Sequence, residues 1–216
     1  MNFAFPSAGA SFPVPPFEWR ETLRALQPPA SAKNPHAFIG GGALRDLLLG
    51  REPKDVDLFL SRDWLGLHAL PDDVLEAWTL RSRGAPPEVD PDSWSASDDT
   101  ICELYDFTHK SGTKYQAIIR LDQLGPAAMI RRFDFGVCQV AWDTVHGWTF
   151  TDAFVNDLQN KTFTVTPGAL YPQATLKRAE LFKERFPDFT FDLTRAEEAM
   201  DRKRGPGGTY LDNRFE

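Results

Sequence analysis

The stretch Phe38–Phe59, FIGGGALRDLLLGREPKDVDLF, decides how this chain is read. Phe38 and Ile39 predict a short buried strand that runs into Gly40, Gly41 and Gly42. Ala43–Leu49 then reads as a helix, stopped by Gly50. Glycines let a backbone approach a phosphate closely, and a helix start offers unpaired N–H groups to an anion. An ordinary glycine turn has the same composition. Arg45 has the donors for a triphosphate oxygen; Asp46 beside it orients it or forms a simple ion pair. Val56–Leu60 reads as a second strand, and Asp55 and Asp57 stand at i and i+2 around Val56. On a strand such a pair faces one way with Cα atoms roughly 6.6 Å apart, while Val56 and Leu58 face the core. Two carboxylates so placed repel unless a cation lies between them. Mg²⁺ suits them, because it is bound by one or two carboxylates together with substrate phosphates and water. With two ions about 4 Å apart, one activates an attacking hydroxyl and the other stabilises the leaving group. The same two acids also fit a solvated strand edge.

Outside that stretch, the chain of 216 residues is long enough for one sizeable domain with a small helical appendage. No apolar run is long enough to cross a bilayer. The first residues, MNFAFPSAGASFPVPPF, lack the basic start of a signal peptide. A net charge of −7 opposes broad, non-specific adhesion to nucleic acid, although a local basic patch over an RNA end remains compatible with it. Cys102 and Cys138 match neither a zinc spacing nor a disulfide framework, and a reducing, cytoplasmic setting is expected. His36, His68, His109 and His146 are scattered without metal spacing.

Periodicity predicts helices over 18–26 and 71–78, an acidic loop over 84–99, and strands over 100–108 and 114–121 joined at Ser111-Gly112. Further strands are expected over 135–142, 148–150 and 162–165. An amphipathic helix follows over 175–185, with Leu176, Ala179, Leu181 and Phe182 on or near one face, and a last one over 195–203. The fold class is α/β (α+β): a mixed, mostly antiparallel sheet backed by helices, with a helical C-terminal extension. Residues 1–30 read as an arm and short helix, 31–168 as the main domain, 169–204 as the extension and 205–216 as a tail.

The joint pattern in 38–59 resembles the head domain of class II tRNA nucleotidyltransferases and bacterial-type poly(A) polymerases, within the polymerase-beta-like superfamily. That family has a glycine pair, Arg-Asp, Leu-Gly-Arg and Asp-x-Asp, matched by Gly41, Gly42, Arg45, Asp46, Leu49, Gly50, Arg51, Asp55 and Asp57. Its second motif, Arg-Arg-Asp-Phe-Thr-x-Asn-Ala, is similar to Arg132–Gln139, with Arg132, Asp134 and Phe135 matching and Phe133, Gly136 and Cys138 departing. The resemblance implies that this segment holds the nucleotide's sugar, with Arg131 a substitute for the lost arginine. Asp152, Asp157-Leu158 and Asn160-Lys161 are similar to a stretch that closes the family's head as a turn and edge, and the 175–186 segment resembles its first neck helix.

What the resemblance implies is metal-dependent transfer of a nucleoside monophosphate from an NTP to an acceptor hydroxyl, on RNA or tRNA. Asp55 and Asp57 would hold two Mg²⁺ ions, and Gly41, Gly42, Arg45, Arg132 and Asp134 would bind the nucleotide. The departures are specific. Gln116 stands where the family has a third acid, so either two carboxylates suffice or Glu103 or Asp106 supplies the charge. Gln173-Ala174 replace the acids of the base-reading motif, and the family's body and tail have no counterpart. A minimal form is expected, of the kind found in phage proteins or toxin-type transferases acting on tRNA or protein. The alternative is a catalytically idle nucleotide- or partner-binding module.

Overall fold

Alternation along the strands sorts the apolar side chains onto two faces of one sheet. In the computed structural model, which describes residues 12–26, 37–61, 78–84, 101–122 and 124–204, that sheet has seven strands. They are β1 (Ala37–Gly40), β2 (Val56–Ser61), β3 (Trp78–Gly84), β4 (Ile101–His109), β5 (Lys114–Arg120), β6 (Val140–Asp143) and β7 (Gly147–Phe150). Their order is β3-β4-β5-β2-β1-β6-β7. Only the central pair β2–β5 is parallel; every other neighbouring pair is antiparallel. The mixed, mostly antiparallel sheet is the expected one.

One face carries Ile39, Val56, Leu58, Tyr115, Ala117 and Val140. It packs on α1 (Phe17–Ala25), α2 (Gly42–Leu48), α4 (Asp152–Asn160), α5 (Pro172–Arg185) and α6 (Thr194–Arg204) through Leu23, Leu44, Phe154, Ala179 and Ala196. The C-terminal helices thus share the core of the sheet. The other face carries Phe38, Phe59 and Ile118, which meet Met129 of α3 (Pro126–Met129) and Ile130. Phe38 and Phe59 stack with centroids 5.1 Å apart. Asp57 shares this second face with Phe59, two residues on.

Sequence signals account for several element ends. Gly50, with φ +65°, ends α2. Its N–H donates to Leu47 O at 3.1 Å and that of Arg51 to Asp46 O at 2.8 Å, the paired bonds that close a helix on a left-handed glycine. A second two-stranded sheet, β8 (Thr162–Thr164) with β9 (Thr190–Asp192), ties the end of α4 to the α5–α6 connection.

Three expectations are corrected. Trp78 is not a helix end: Trp78–Gly84 forms an edge strand, because β4 offers it a backbone ladder. The rest of the expected helix, 71–77, and of the acidic loop, 85–99, lie outside the described residues, as does the tail at 205–216. The expected strand over 135–142 begins only at Val140; Gly136–Cys138 is a 3₁₀ turn. Asp152–Asn160 is a helix and not a turn and edge. Thr151 starts it, its Oγ1 accepting from Phe154 N–H at 3.2 Å, and Lys161 ends it with φ 51°. Leu181 lies 64% exposed, off the buried face of α5.

Candidate functional site

β1 ends against β2, and the turn that follows cannot be built from other residues. A Cβ on Gly40 would lie 2.9 Å from the Phe59 ring. Gly41 has φ 75° and ψ −131°, a region reserved for glycine. The turn is fixed by Gly41 N–H donating to Val140 O at 2.9 Å and by Arg45 N–H donating to Gly41 O at 3.2 Å.

The register sets Asp57 between this turn and β5: it pairs with Gly40 on one side and Gln116 on the other. Val56 and Leu58 point into the core, and Asp55 and Asp57 face a cavity of about 470 Å³. Gly41, Gly42, Gln116, Asp134 and Arg178 also line it. Burial pushes the Asp57 carboxyl up to about 7, and the like charge of Asp55 adds to this. Arg178 and Lys54 pull the other way. Lys54 Nζ is 3.9 Å from Asp55 Oδ2. Repulsion between two cavity-facing carboxylates is the condition that a cation relieves.

Gln116 donates through Nε2 to Asp106 Oδ1 at 2.9 Å. A neutral amide therefore stands next to Asp57, with an acid one strand further out whose charge adds to the pressure on Asp57. The side chain of Glu103 lies outside the described residues. Among the described residues no group of three or more His, Cys, Asp or Glu is gathered as a metal cluster. The donor set at this point is thus two carboxylates, which fits an ion that completes its shell with phosphate oxygens and water.

Arg45 is almost wholly buried, 1% exposed. Its Nε and Nη2 donate to Asp46 Oδ1 at 2.9 and 2.8 Å, and its Nη1 to Cys138 Sγ at 3.2 Å. The guanidinium lies 4.8 and 4.6 Å from the Phe182 and Phe186 rings. Burial works against its charge, and the Asp46 carboxylate, with the hydrogen bond to the Cys138 sulfur, more than offsets it. Asp46 Oδ2 accepts from Arg185 Nη2 at 2.7 Å, and Arg51 Nη1 donates to Arg185 O at 2.7 Å. The Arg-Asp and Leu-Gly-Arg residues thus clamp α2 to α5, and Asp46 does orient Arg45.

The second motif forms the opposite rim. Asp134 Oδ2 accepts from Arg178 Nη1 at 2.6 Å and from Thr175 Oγ1 at 3.3 Å. Arg132 lines the cavity, and its Nη1 donates to Asp122 Oδ2 at 3.0 Å. Arg131 is exposed and does not line the cavity. Gly136 has a physical reason: a Cβ there would lie 2.6 Å from Asp157 Oδ2. That oxygen accepts from Val137 N–H at 2.8 Å and Thr164 N–H at 3.0 Å. Burial pushes the Cys138 thiol up to about 11, so it is a neutral packing group. Reading by motif passes over Arg178 and Thr175, which lie on α5 beyond the second motif. Their one signal is spacing: 174, 175, 178, 181, 182 and 185 form a single helical stripe, and all line the cavity.

The family model described as Gabija anti-defense 2 family protein matches residues 18–161, more than half of the chain and all of the glycine turn, acid pair and second motif. This chain belongs to the Gabija anti-defense 2 family. No curated protein matches its sequence.

Solved structures similar to this Gabija anti-defense 2 family member include the CCA-adding enzyme of Bacillus stearothermophilus in complex with CTP, at 21% identity and a TM-score of 0.54. The match covers 84% of this chain and 42% of that one. A tRNA-processing enzyme in an apo form matches at 18% identity and 0.55, covering 85% and 46%. A CCA-adding enzyme with ATP matches at 18% and 0.51, covering 77% and 38%. The chain spans less than half the length of these enzymes. At such identities the likeness establishes the nucleotidyltransferase-type fold, which is the one the sequence motifs predict. No described helix is long and apolar enough to cross a membrane.

Proposed function

We propose that this chain is a metal-dependent nucleotidyltransferase that moves a nucleoside monophosphate from an NTP to an acceptor hydroxyl. The observation that carries the reading is the pair Asp55 and Asp57, turned into one cavity beside the Gly41-Gly42 turn. Asp55 and Asp57 would hold two Mg²⁺ ions, which when bound help the acceptor oxygen to attack and balance the charge of the leaving pyrophosphate. Gly41 and Gly42 would let the triphosphate approach the backbone, and Arg132 and Asp134 would position the nucleotide. Arg45 suits a residue that shapes this cradle from beneath, since it is buried and each of its three nitrogens donates to Asp46 or Cys138. In the reaction the acceptor oxygen bonds to the α-phosphorus, the bond from that phosphorus to the β-phosphate oxygen breaks, and the hydroxyl proton passes to solvent.

The fold neighbours bear CTP, ATP or tRNA in their descriptions, which supports an NTP donor and an RNA or tRNA acceptor here. The family's name supports counter-defence as the setting, in which a toxin-type transfer to tRNA or protein is the same chemistry with another acceptor. The neutral Gln116 favours a second reading, a module that binds nucleotide without turning it over.

The test is incubation with Mg²⁺, each labelled NTP in turn, and total RNA or cell lysate. A labelled band that is lost in the Asp55→Ala/Asp57→Ala double variant is expected. Nucleotide binding without any transfer would support the binding module; no binding would leave only the fold.

A further inference from the structure

Among the described residues five cations line the cavity, and most are committed elsewhere. Arg45 is locked under the turn, and Arg185 donates to Asp46 and to Glu52 O at 2.8 Å. Arg132 is turned to Asp122, and Lys54 is 80% exposed at the outer rim. Arg178 differs. It stands in the middle of the α5 stripe that forms one wall, its side chain is 23% exposed, and among the described residues it meets a single acceptor, Asp134 Oδ2, through Nη1. A guanidinium has five N–H donors in a fixed fork, so most of this one is unspent.

Resting on the nucleotidyltransferase reading, we infer that Arg178 is the residue that grips the donor's phosphates, held in aim by Asp134 and Thr175 across the cavity from the Gly41-Gly42 turn. Asp134 anchors one nitrogen at 2.6 Å and leaves the other edge of the fork for phosphate oxygens. A bidentate arginine–phosphate contact is favoured by both geometry and charge. Arg178 thereby takes the part that motif reading gives to Arg45. Asp134 reaches the nucleotide through Arg178 as well as through any direct contact of its own.

The experiment is calorimetry on the full chain with Mg²⁺ and, for whichever of ATP, CTP, GTP and UTP the wild type binds, the matching di- and monophosphate and nucleoside. Thermal melts of every variant confirm folding. Arg178→Gln is expected to weaken triphosphate binding at least 10-fold, the nucleoside less than about threefold, with the loss growing with phosphate number. Arg178→Lys, which keeps the charge without the fork, is expected to recover part of it. An equal loss for triphosphate and nucleoside would overturn the inference and make Arg178 only a brace for Asp134. A wild type that binds no NTP would overturn the nucleotidyltransferase reading itself, and the inference with it.

Discussion

Asp57 and Gln116 are register partners across the one parallel pair in the sheet, and the Gln116 amide donates to Asp106 one strand further out. The position beside the acid pair is thus occupied by a neutral group that hydrogen-bonds a third carboxylate. Replacing it tests whether this neutrality limits metal binding. Gln116→Glu is expected to bind Mn²⁺ more tightly than wild type by calorimetry. It is also expected to melt lower in chelator, because a third negative charge then faces Asp57 and Asp106. Unchanged Mn²⁺ affinity in the folded variant would count against a metal at this place.

Gly40 and Gly41 fail on substitution for different reasons. At Gly41 the nearest atom to an added Cβ is 3.6 Å away, so there is room, but φ +75° with ψ −131° is closed to L-residues. Gly41→Ala is expected to cost about 1–3 kcal/mol, typical of a residue forced into such a region. At Gly40 the obstacle is the Phe59 ring at 2.9 Å, and Phe59→Leu should relieve much of the cost of Gly40→Ala. Denaturant midpoints of the singles and the double check both, and a Phe59→Leu rescue of Gly41→Ala would contradict the distinction.

The turn, the acid pair and the Arg-Asp pair are local in sequence, and local chemistry made them legible. Glycine spacing, strand alternation around Val56 and the Gly50 helix stop each act within a few residues. The wall made by α5 is not local. Arg178 meets Asp134 only because β8, β9 and the Phe163, Phe182 and Phe186 cluster pack α5 against the head, with Phe163 and Phe182 centroids 5.0 Å apart. The 3₁₀ turn at Gly136–Cys138 was equally hidden, since the apolar run of Phe135, Val137 and Val140 satisfies a strand pattern. What breaks the strand is the Asp157 carboxylate lying against Gly136, more than twenty residues on. Arg45 shows a further limit: its motif gave its partner Asp46 but not its direction, which Phe182 and Phe186 decide.

The Arg45–Asp46 pair predicts an asymmetric mutational response. Both side chains are nearly fully buried, 1% and 2% exposed. Removing Asp46 leaves the buried Arg45 without a carboxylate, so Asp46→Leu alone should cost about 3–5 kcal/mol, whereas Arg45→Met leaves Asp46 paired with Arg185 and should cost less. The double variant should cost less than the sum, because no buried charge from the pair remains, although Arg185 then loses its bond to Asp46 Oδ2. A double-mutant cycle in urea measures this, and additive costs would mean that the two charges do not depend on each other.

The last prediction concerns pH. In metal-free protein the Asp57 carboxyl is raised to about 7 by burial and by Asp55, against roughly 3.9 in the unfolded chain. Between those values the folded state binds more protons than the unfolded state, so stability falls as pH rises through this window. The penalty is absent below the lower value and fully present above the upper one. Melting in chelator should therefore drop between about pH 4 and pH 7 more steeply in wild type than in Asp57→Asn, which has no proton to lose. Mg²⁺ should restore the wild type at pH 8 and leave Asp57→Asn less affected, since the cation takes the place of the proton. Parallel melting curves for the two proteins across this range would show that Asp57 ionises freely and is not held in a cavity built for a cation.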